Sequence, residues 1–527
     1  MIFKKIGNFL NKNLDFINFY FLKFVFNSFN YNLLQKKKST NGVILFDHFE
    51  VPFSLVLRSV ILRVLAKVKS SELLVFNNEY NLAYNLAYKT IGAKNLKIRL
   101  NKNQKKQSQI LFVKIKKKIK SKEDIIKIRI NKIYIGIDIY ESYLIRNFVP
   151  TVNINDKKLW TLVSETIDTY VFWKDFFKDN KVKGVFLSHR MYVETNIVNK
   201  IALKNKIPIY TMDGYGSSVM KLTTLKLSLF DLYKKFFNKL KQKEKRIFID
   251  ISKKAINKKL SGVVGVNMDY SKKSAFSKYS TDKNPITRSK KVNILICTHC
   301  FFDNPHAYGQ YKKGNLFIDF YEWINFLSKI SHKTNYNWFI KPHRDYLPGT
   351  IEIISSMTKK FTNIELVNPN TSFHQLKINL DHALTVYGSV AHELPLLGVN
   401  VINASKINPH MSYNFSITPK NLQDYKHILL NLKKVNKKKI NTNLKEIYSF
   451  YYMHNYFFKD NLFQNFRKIT NDTNNKNSIY NNFSKLLNNG SFDNDIKKLE
   501  FFYKSNDSKY FSNNSHRKIF NDVCKNI

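Results

Sequence analysis

The chain is predicted to be an α/β protein of two doubly wound parallel-sheet units facing a cleft, with extra helices at both termini. Three observations carry this. Short apolar runs alternate with helical stretches in two separate blocks, the pattern of parallel sheets covered on both faces. A lysine-rich, less regular stretch from 220 to 291 parts the blocks, and its turn dipeptide Asn284-Pro285 precedes the next strand. The apolar runs end repeatedly in polar clusters, and open parallel sheets bind ligands beyond the carboxyl ends of their strands. A length of 527 residues fits two or three units of roughly 100 to 200 residues each.

In the first block Gly42 to Phe46 reads as a strand and Pro52 to Lys67 as its helix, and Glu72 to Phe76 with Tyr80 to Ile91 repeats the pair. Ile133 to Ile139 reads as a strand, followed by Tyr140 to Arg146 and a long helix around Lys157 to Lys178. Lys183 to Leu187, Tyr192 to Lys204 and Ile207 to Met212 follow as strand, helix and strand. In the second block the strands are Val292 to Ile296, Trp338 to Ile340, Ile364 to Val367, Ala383 to Tyr387 and Val401 to Ala404. Its helices are Phe317 to Lys329, Ile351 to Lys360 and one opening at Gly388-Ser389. The division is therefore an N-terminal amphipathic helical segment at 1–40, a Rossmann-like domain at 41–219, a basic connection at 220–291, a second Rossmann-like domain at 292–435 and a helical, polar tail at 436–527. Roughly the last 50 residues of that tail are expected to be poorly ordered.

A hydrophobic content of 43% excludes global disorder. Lys and Arg number 88 against 38 Asp and Glu, a formal charge of +50. Two readings of that charge stand open. An AT-rich genome would over-use Lys together with Asn, Ile, Phe and Tyr, as seen here; attraction to acidic lipid or to phosphorylated substrates would have the same result. Cys297 and Cys300 form a C-T-H-C run that lacks a second ligand pair for zinc and ends a strand instead of opening a helix, so it reads as buried thiols in a reducing compartment. No small-residue cleavage site follows the N-terminal apolar stretch, so no signal peptide is expected. Leu14 to Leu34 is interrupted by Asp15, Lys23 and several Asn, too polar for a spanning helix of about 20 apolar residues. It reads either as an interfacial amphipathic helix or as one packed on the first domain. The expected location is the cytoplasm, with peripheral attachment to an anionic membrane surface at the inner face of the cytoplasmic membrane.

Six polar clusters follow strands: Asp47-His48-Phe49-Glu50, Ser188-His189-Arg190, Asp213-Gly214-Tyr215-Gly216, His299 through His306, Lys341-Pro342-His343-Arg344 and Tyr387-Gly388-Ser389. The strongest local signal is TVYGSVAHELPLLGVNVINA, Thr385 to Ala404, in which a strand runs into Gly388-Ser389, a helix follows, and Gly398 turns the chain into the next strand. A helix N-terminus of that kind offers unpaired N–H groups and a dipole to an anion such as a nucleotide phosphate, or Ser389 simply caps its helix. Lys341, His343 and Arg344 bring two fixed cations and an imidazole to one strand end, which suits a phosphate leaving group whose charge grows in the transition state. Asp213 places a carboxylate at a strand end of the first domain, where it can act as general base on an acceptor hydroxyl. His189, and His299, Asp303 and His306 in THCFFDNPH, are read as substrate contacts; Pro305 breaks any helix that would align the last three on a metal. No cofactor and no metal are expected.

The order Asp-Gly, Lys-Pro-His, then Gly-Ser followed by His-Glu-x-x-x-x-Gly resembles bacterial capsule and lipopolysaccharide biosynthesis glycosyltransferases, the group containing Kdo transferases. It is also similar in order to the sialyltransferases of GT-B fold, with their Asp/Glu-Gly, His-Pro and serine motifs. The resemblance implies the GT-B architecture, Asp213 as acceptor base, His343 and Ser389 on the phosphate of a CMP-type donor, and Glu393 on its ribose. Lys341, Arg344 and Gly388 belong to the same nucleotide-binding set. The match covers mainly 180–216 and 292–430, and it departs where His343 is followed by Arg344 instead of proline, although Pro342 supplies a rigid turn. The implied partners are a nucleotide-sugar donor and a polysaccharide or lipid-linked saccharide acceptor. Two alternatives remain: a glycerol- or ribitol-phosphate transferase of the teichoic-acid kind using a CDP-linked donor, and a basic nucleic-acid-binding protein. The last lacks any RNP-type, KH-type or zinc-knuckle motif, so no nucleic acid is expected.

Overall fold

The computed structural model describes residues 41–49, 52–76, 88–89, 91–212, 218–222, 229–267, 273–277, 284–307, 313–434, 444–459, 462–465, 482–483, 485–486, 489–506 and 514–524. The strands, numbered in chain order, are β1 (Val43–Asp47), β2 (Glu72–Phe76), β3 (Ala93–Asn95), β4 (Arg129–Ile130), β5 (Ile133–Tyr134), β6 (Val182–Leu187), β7 (Ile209–Met212) and β8 (Val219–Leu222) in the first half. The second half holds β9 (Asn293–Cys297), β10 (Asn337–Lys341), β11 (Ile364–Leu366), β12 (His382–Thr385) and β13 (Asn400–Asn403).

Two large sheets result, as the alternation predicts, beside the two-stranded β4-β5 pair. The first runs β3-β2-β1-β6-β7-β8, parallel except for the antiparallel β7–β8 edge, and the second runs β11-β10-β9-β12-β13, parallel throughout. Within each unit the order is that of a Rossmann-like sheet, in which the first strand lies centrally and the chain returns to its other side after the third. Strands buried on both faces read as continuous apolar runs: Ile44, Leu45 and Phe46 in β1, and Ile294, Leu295 and Ile296 in β9, are fully buried. Side chains alternate between faces, so Ile44 and Phe46 join one core and Leu45 another. The second sheet is sandwiched the same way, with Ile294, Ile296 and Trp323 on one side and Leu295, Ala383 and Val401 on the other.

A further core lies outside both sheets. Helices Tyr233–Asn238 and Gln242–Leu260 from the basic connection pack with Leu444–Tyr452, the π-helix Met453–Phe457 and Asn514–Cys524 from the tail, burying Phe236, Ile256, Phe450, Phe457 and Phe520. The tail helix Asp493–Lys504 instead packs on the helix Pro52–Lys69, adding Leu499, Phe502 and Tyr503 to the first core. Much of the chain's last stretch is thus held in two apolar cores, more order than composition suggested.

One predicted strand is not formed. Ile133 to Ile139 splits into the two-residue β5 and the start of the helix Gly136–Asn147. Asn131 and Lys132, with φ of 47° and 68°, make the two-residue turn of a β4–β5 hairpin, and both central residues of such a turn need positive φ. Gly136 then runs against the preceding helix so closely that a Cβ would stand 1.9 Å from the Ile125 carbonyl oxygen. The predicted amphipathic segment at 1–40 and most of the predicted helix Tyr80 to Ile91 lie outside the described residues. No described helix is long and apolar enough to cross a membrane.

Candidate functional site

Each sheet changes direction at one place, where neighbouring loops leave on opposite sides and a crevice forms beyond the strand ends. In the first sheet this point lies between β1 and β6. Asp47, the last residue of β1 and 1% exposed, accepts from the Ser188 backbone N–H at 3.0 and 3.2 Å, from the Ser188 hydroxyl and from the Arg58 guanidinium. Arg58 is itself buried, its guanidinium 5.3 Å from the centre of the Phe186 ring. Asp47 is thus a paired and hydrogen-bonded buried charge. His189 stays beside it, with Nδ1 2.7 Å from Ser188 Oγ, and so is removed from the cavity described next.

In the second sheet the corresponding point lies between β9 and β12, and it is open. His299 follows β9 by two residues and Thr385 ends β12. The Val386 N–H donates to His299 Nε2 at 3.3 Å, Thr385 Oγ1 lies 3.1 Å from the same nitrogen, and the Gly388 N–H donates to Thr385 Oγ1 at 3.0 Å. With Nε2 accepting, the ring proton belongs on Nδ1. The imidazole stacks on Phe320 at 4.7 Å, and Tyr387 lies at 4.7 Å on a tilt. Burial, helped by nearby His343, pushes the His299 pKa down to about 3, so the ring is neutral. Glycine is required at 388, because a Cβ there would stand 2.8 Å from Thr385 Oγ1 and 3.4 Å from His299 Cε1.

Beyond these strand ends opens a cavity of about 430 Å³, whose sheet-side wall includes His299, Lys341, His343, Arg344, Gly388 and Ser389. With Glu393, which also lines it, seven residues singled out in the sequence therefore converge. Lys341 ends β10 almost fully buried; its Nζ donates to the Pro369 carbonyl at 2.7 Å and lies 5.2 Å from the Phe373 ring centre. Burial, reinforced by Arg344, brings its pKa down to about 8 against the upward pull of Cys297. Arg344 donates from Nη2 to the Asn370 carbonyl at 3.0 Å, while its buried Nε has no partner. His343 is exposed, and its Nδ1 lies 3.1 Å from the Asp345 nitrogen and 3.3 Å from the Asp345 carbonyl oxygen; accepting from the N–H, the shorter contact, leaves the ring proton of the neutral form on Nε2.

The Gly-Ser segment departs from expectation. The helix after Ser389 is only Val390–Glu393 and passes into a 3-10 turn, Leu394–Leu397, because Pro395 has no N–H to continue an α-helix. Ser389 has helical φ and ψ and makes no capping bond; its hydroxyl donates to Glu393 Oε2 at 3.1 Å. A single turn lacks the aligned dipole of a full helix, so the anion-binding argument from a helix N-terminus does not hold here. Gly398 does turn the chain into β13, with φ of 81°. Glu393, also on the cavity wall, is 2% exposed, and its Oε1 lies 2.5 Å from Lys259 Nζ, so this carboxylate is paired with a wall lysine.

The opposite wall comes from the helical unit: Lys259 at the end of Gln242–Leu260, Asn267, Tyr451, and His454 and Asn455 of the π-helix. Asn267 Nδ2 donates to the Tyr451 hydroxyl at 2.9 Å, and the largely buried His392 and His410, which also line the cavity, meet with ring nitrogens 3.1 Å apart. None of these was found from the sequence except His392, quoted within a motif without a role. Lys259 was one of many lysines in the connection, and the cluster MHNY carried no period to mark it.

Two predicted substrate contacts lie elsewhere. Asp303 accepts from the Tyr192 hydroxyl at 3.1 Å, and the His306 backbone N–H donates to Glu141 Oε1 at 3.0 Å with the ring edge-on to Tyr140. Together with the Tyr140 hydroxyl, which donates to Asp319 at 2.5 Å, they tie the first unit to the second. They do so because the loop from β9 crosses to the helices Gly136–Asn147 and Tyr192–Lys204. Asp213 lies outside the described residues. Cys297 and Cys300 are free thiols, and burial pushes Cys297 up to about 12. Among the described residues no group of three His, Cys, Asp or Glu side chains is arranged to hold a metal ion.

No protein-family model matches the sequence, and no curated protein does. Solved structures with a distant likeness include a UDP-GlcNAc 2-epimerase from Neisseria meningitidis bound to UDP-GlcNAc, 12% identical over 78% of this chain and 96% of that one, with a TM-score of 0.23. Another is KpsC of Thermosulfurimonas dismutans, a β-Kdo 2,4 transferase, 12% identical over 52% and 80%, TM-score 0.30. A third is Anabaena Alr3699/HepE in complex with UDP, 10% identical over 78% and 95%, TM-score 0.25. Likeness at this level carries no argument about chemistry; the fold rests on the two sheets themselves.

Proposed function

We propose that the chain is a glycosyltransferase, moving a sugar from a nucleotide-activated donor to a growing surface polysaccharide or lipopolysaccharide. The observation that carries this reading is the cationic cavity at the direction change of the second sheet, lined by Lys259, Lys273, Lys341 and Arg344 against the carboxylates of Glu393 and Asp345. Its volume lies within the range of small-ligand sites, and its position is where open α/β sheets bind nucleotides.

In this reading the donor's phosphate lies over Lys341, with Arg344 and the Nε2–H of His343 directed to the oxygen that gains charge. The acceptor hydroxyl attacks the anomeric carbon, its proton passes to a base, and the bond to the phosphate oxygen breaks with its electron pair on the nucleotide. Asp213 is the proposed base on the first unit. Glu393 is assigned a positioning role, holding Lys259 in the wall. CMP-linked donors are favoured by the motif resemblance alone. Thermal shift against CMP, CDP, UDP and GDP tests the reading, since a ligand at about 100 times its dissociation constant stabilises by about 2.7 kcal/mol. A clear shift with one nucleotide, lost in Lys341→Met, is expected; no shift with any would remove the basis for a nucleotide-sugar donor.

A further inference from the structure

The helix Lys102–Lys116 covers the helix Lys157–Asp179 on the first unit. Its inward side is accounted for. Leu111, Phe112 and Ile115 pack on the core, Ser108 donates to Asp168, and Gln104 donates to Asp175 at 2.9 Å. The outward ridge at i, i+4, i+7 and i+11 is Lys106, Ile110, Val113 and Lys117. Ile110 is 60% and Val113 42% exposed, although neither contributes to a core. Lys102, Lys105, Lys114, Lys116, Lys118 and Lys120 surround them, all exposed. Ten Lys and Arg and no Asp or Glu occur between 97 and 120.

A solvated basic face has no need of two branched apolar side chains at its crest. We infer that this ridge docks the protein on an anionic lipid surface, with Ile110 and Val113 entering the boundary between headgroups and acyl chains and the lysines meeting lipid phosphates. A single-stranded nucleic acid would call for exposed aromatic rings on which bases stack, and the aromatic side chain of this helix, Phe112, is turned inward against Trp160 at 6.4 Å. The inference concerns a surface distinct from the cavity. It rests on the proposed function only for its purpose, which is to bring the enzyme to a lipid-linked acceptor, and its test uses no nucleotide.

The test is sedimentation of the full chain with phosphatidylcholine vesicles, with and without phosphatidylglycerol. At about 0.1 M salt the protein is expected to pellet with the anionic vesicles only and to be released at high salt, because surface attraction is screened within about 10 Å. Lys106→Gln, Lys114→Gln, Lys117→Gln and Lys118→Gln combined should weaken binding at least about 10-fold, since each lysine near the surface contributes several-fold. Ile110→Gln with Val113→Gln should weaken it several-fold at unchanged charge. The matching control, Lys243→Gln, Lys253→Gln, Lys254→Gln and Lys258→Gln on the helix Gln242–Leu260, removes the same charge elsewhere and should have little effect. Absence of binding to anionic vesicles, equal losses in the two lysine sets, or no loss on removing Ile110 and Val113 would each overturn the inference.

Discussion

Thr385 at the end of β12 and His299 just past β9 are joined across the direction change of the second sheet, with Oγ1 3.1 Å from Nε2, and the cavity opens above them. In the first sheet the end of β1 is occupied by the buried ion pair of Asp47 and Arg58. One topology repeated twice thus places an ion pair at one direction change and a neutral imidazole beside a cavity at the other. The difference is set by which side chains end the strands.

The hydrogen-bond chain from Gly388 to Thr385 to His299 requires the glycine. Gly388→Ala would drive Thr385 from its present rotamer and release His299. Since a displacement of about 1 Å can cost on the order of 100-fold in rate, turnover should fall steeply while the cooperative thermal transition stays close to that of the wild type. Thr385→Val should do the same. A fully active Gly388→Ala would show that the chain of bonds is not needed.

The proposed donor and acceptor roles should be separable by mutation. His343→Ala and Arg344→Ala should weaken nucleotide binding in calorimetry as well as turnover. Asp213→Ala should leave binding nearly intact and lower turnover by about 100-fold or more, the scale of a general base. Loss of nucleotide binding in Asp213→Ala would place that residue in the donor site instead.

With Lys341 on the donor phosphate as proposed, anion binding should be pH-dependent. Its pKa is lowered by burial to about 8, so the free protein loses this cation as pH rises through 8, and nucleotide affinity should fall there while remaining flat below. A bound phosphate favours the charged form, so binding above pH 8 should take up a proton, visible as a buffer-dependent heat. Lys341→Arg, whose guanidinium stays charged, should abolish the dependence. Affinity independent of pH from about 7 to 9.5 in the wild type would refute the assignment.

The buried imidazoles make the fold acid-sensitive. Burial lowers the pKa of His299 to about 3 and those of His392 and His410 well below 6.5, so between the folded and unfolded values the unfolded chain binds more protons. Stability is therefore full above pH 6.5 and declines as pH falls below it, each such imidazole adding a slope of about 1.4 kcal/mol per pH unit. Asp138 and Asp319, raised by burial, oppose this at lower pH. The comparison of wild type with His410→Gln in urea unfolding isolates the imidazole contribution. Equal slopes in the two proteins between about pH 6.5 and 5 would contradict it.

Periodicity alone determined the two sheets, most of their helices and the convergence of His299, Lys341, His343, Arg344, Gly388 and Ser389. The reason is topological: in a parallel sheet every carboxyl end lies on one edge, so residues that follow strands must meet once the strand order forms. Separations of one or two residues along the chain and a period of two or 3.6 are local properties, and the order of residues records them. Tertiary structure decided what no local pattern encodes. Lys259 and His454 come from helices outside both sheets and reach the cavity only because the connection and tail share a core. Asp47 is consumed by Arg58, and Glu393 by Lys259 and Ser389, whereas a lone carboxylate in sequence looks equally available for chemistry. His306 meets Glu141 165 positions away. Whether a polar group faces a ligand or another polar group depends on burial and on partners distant in the chain, and burying a charge demands such a partner wherever the fold can supply one.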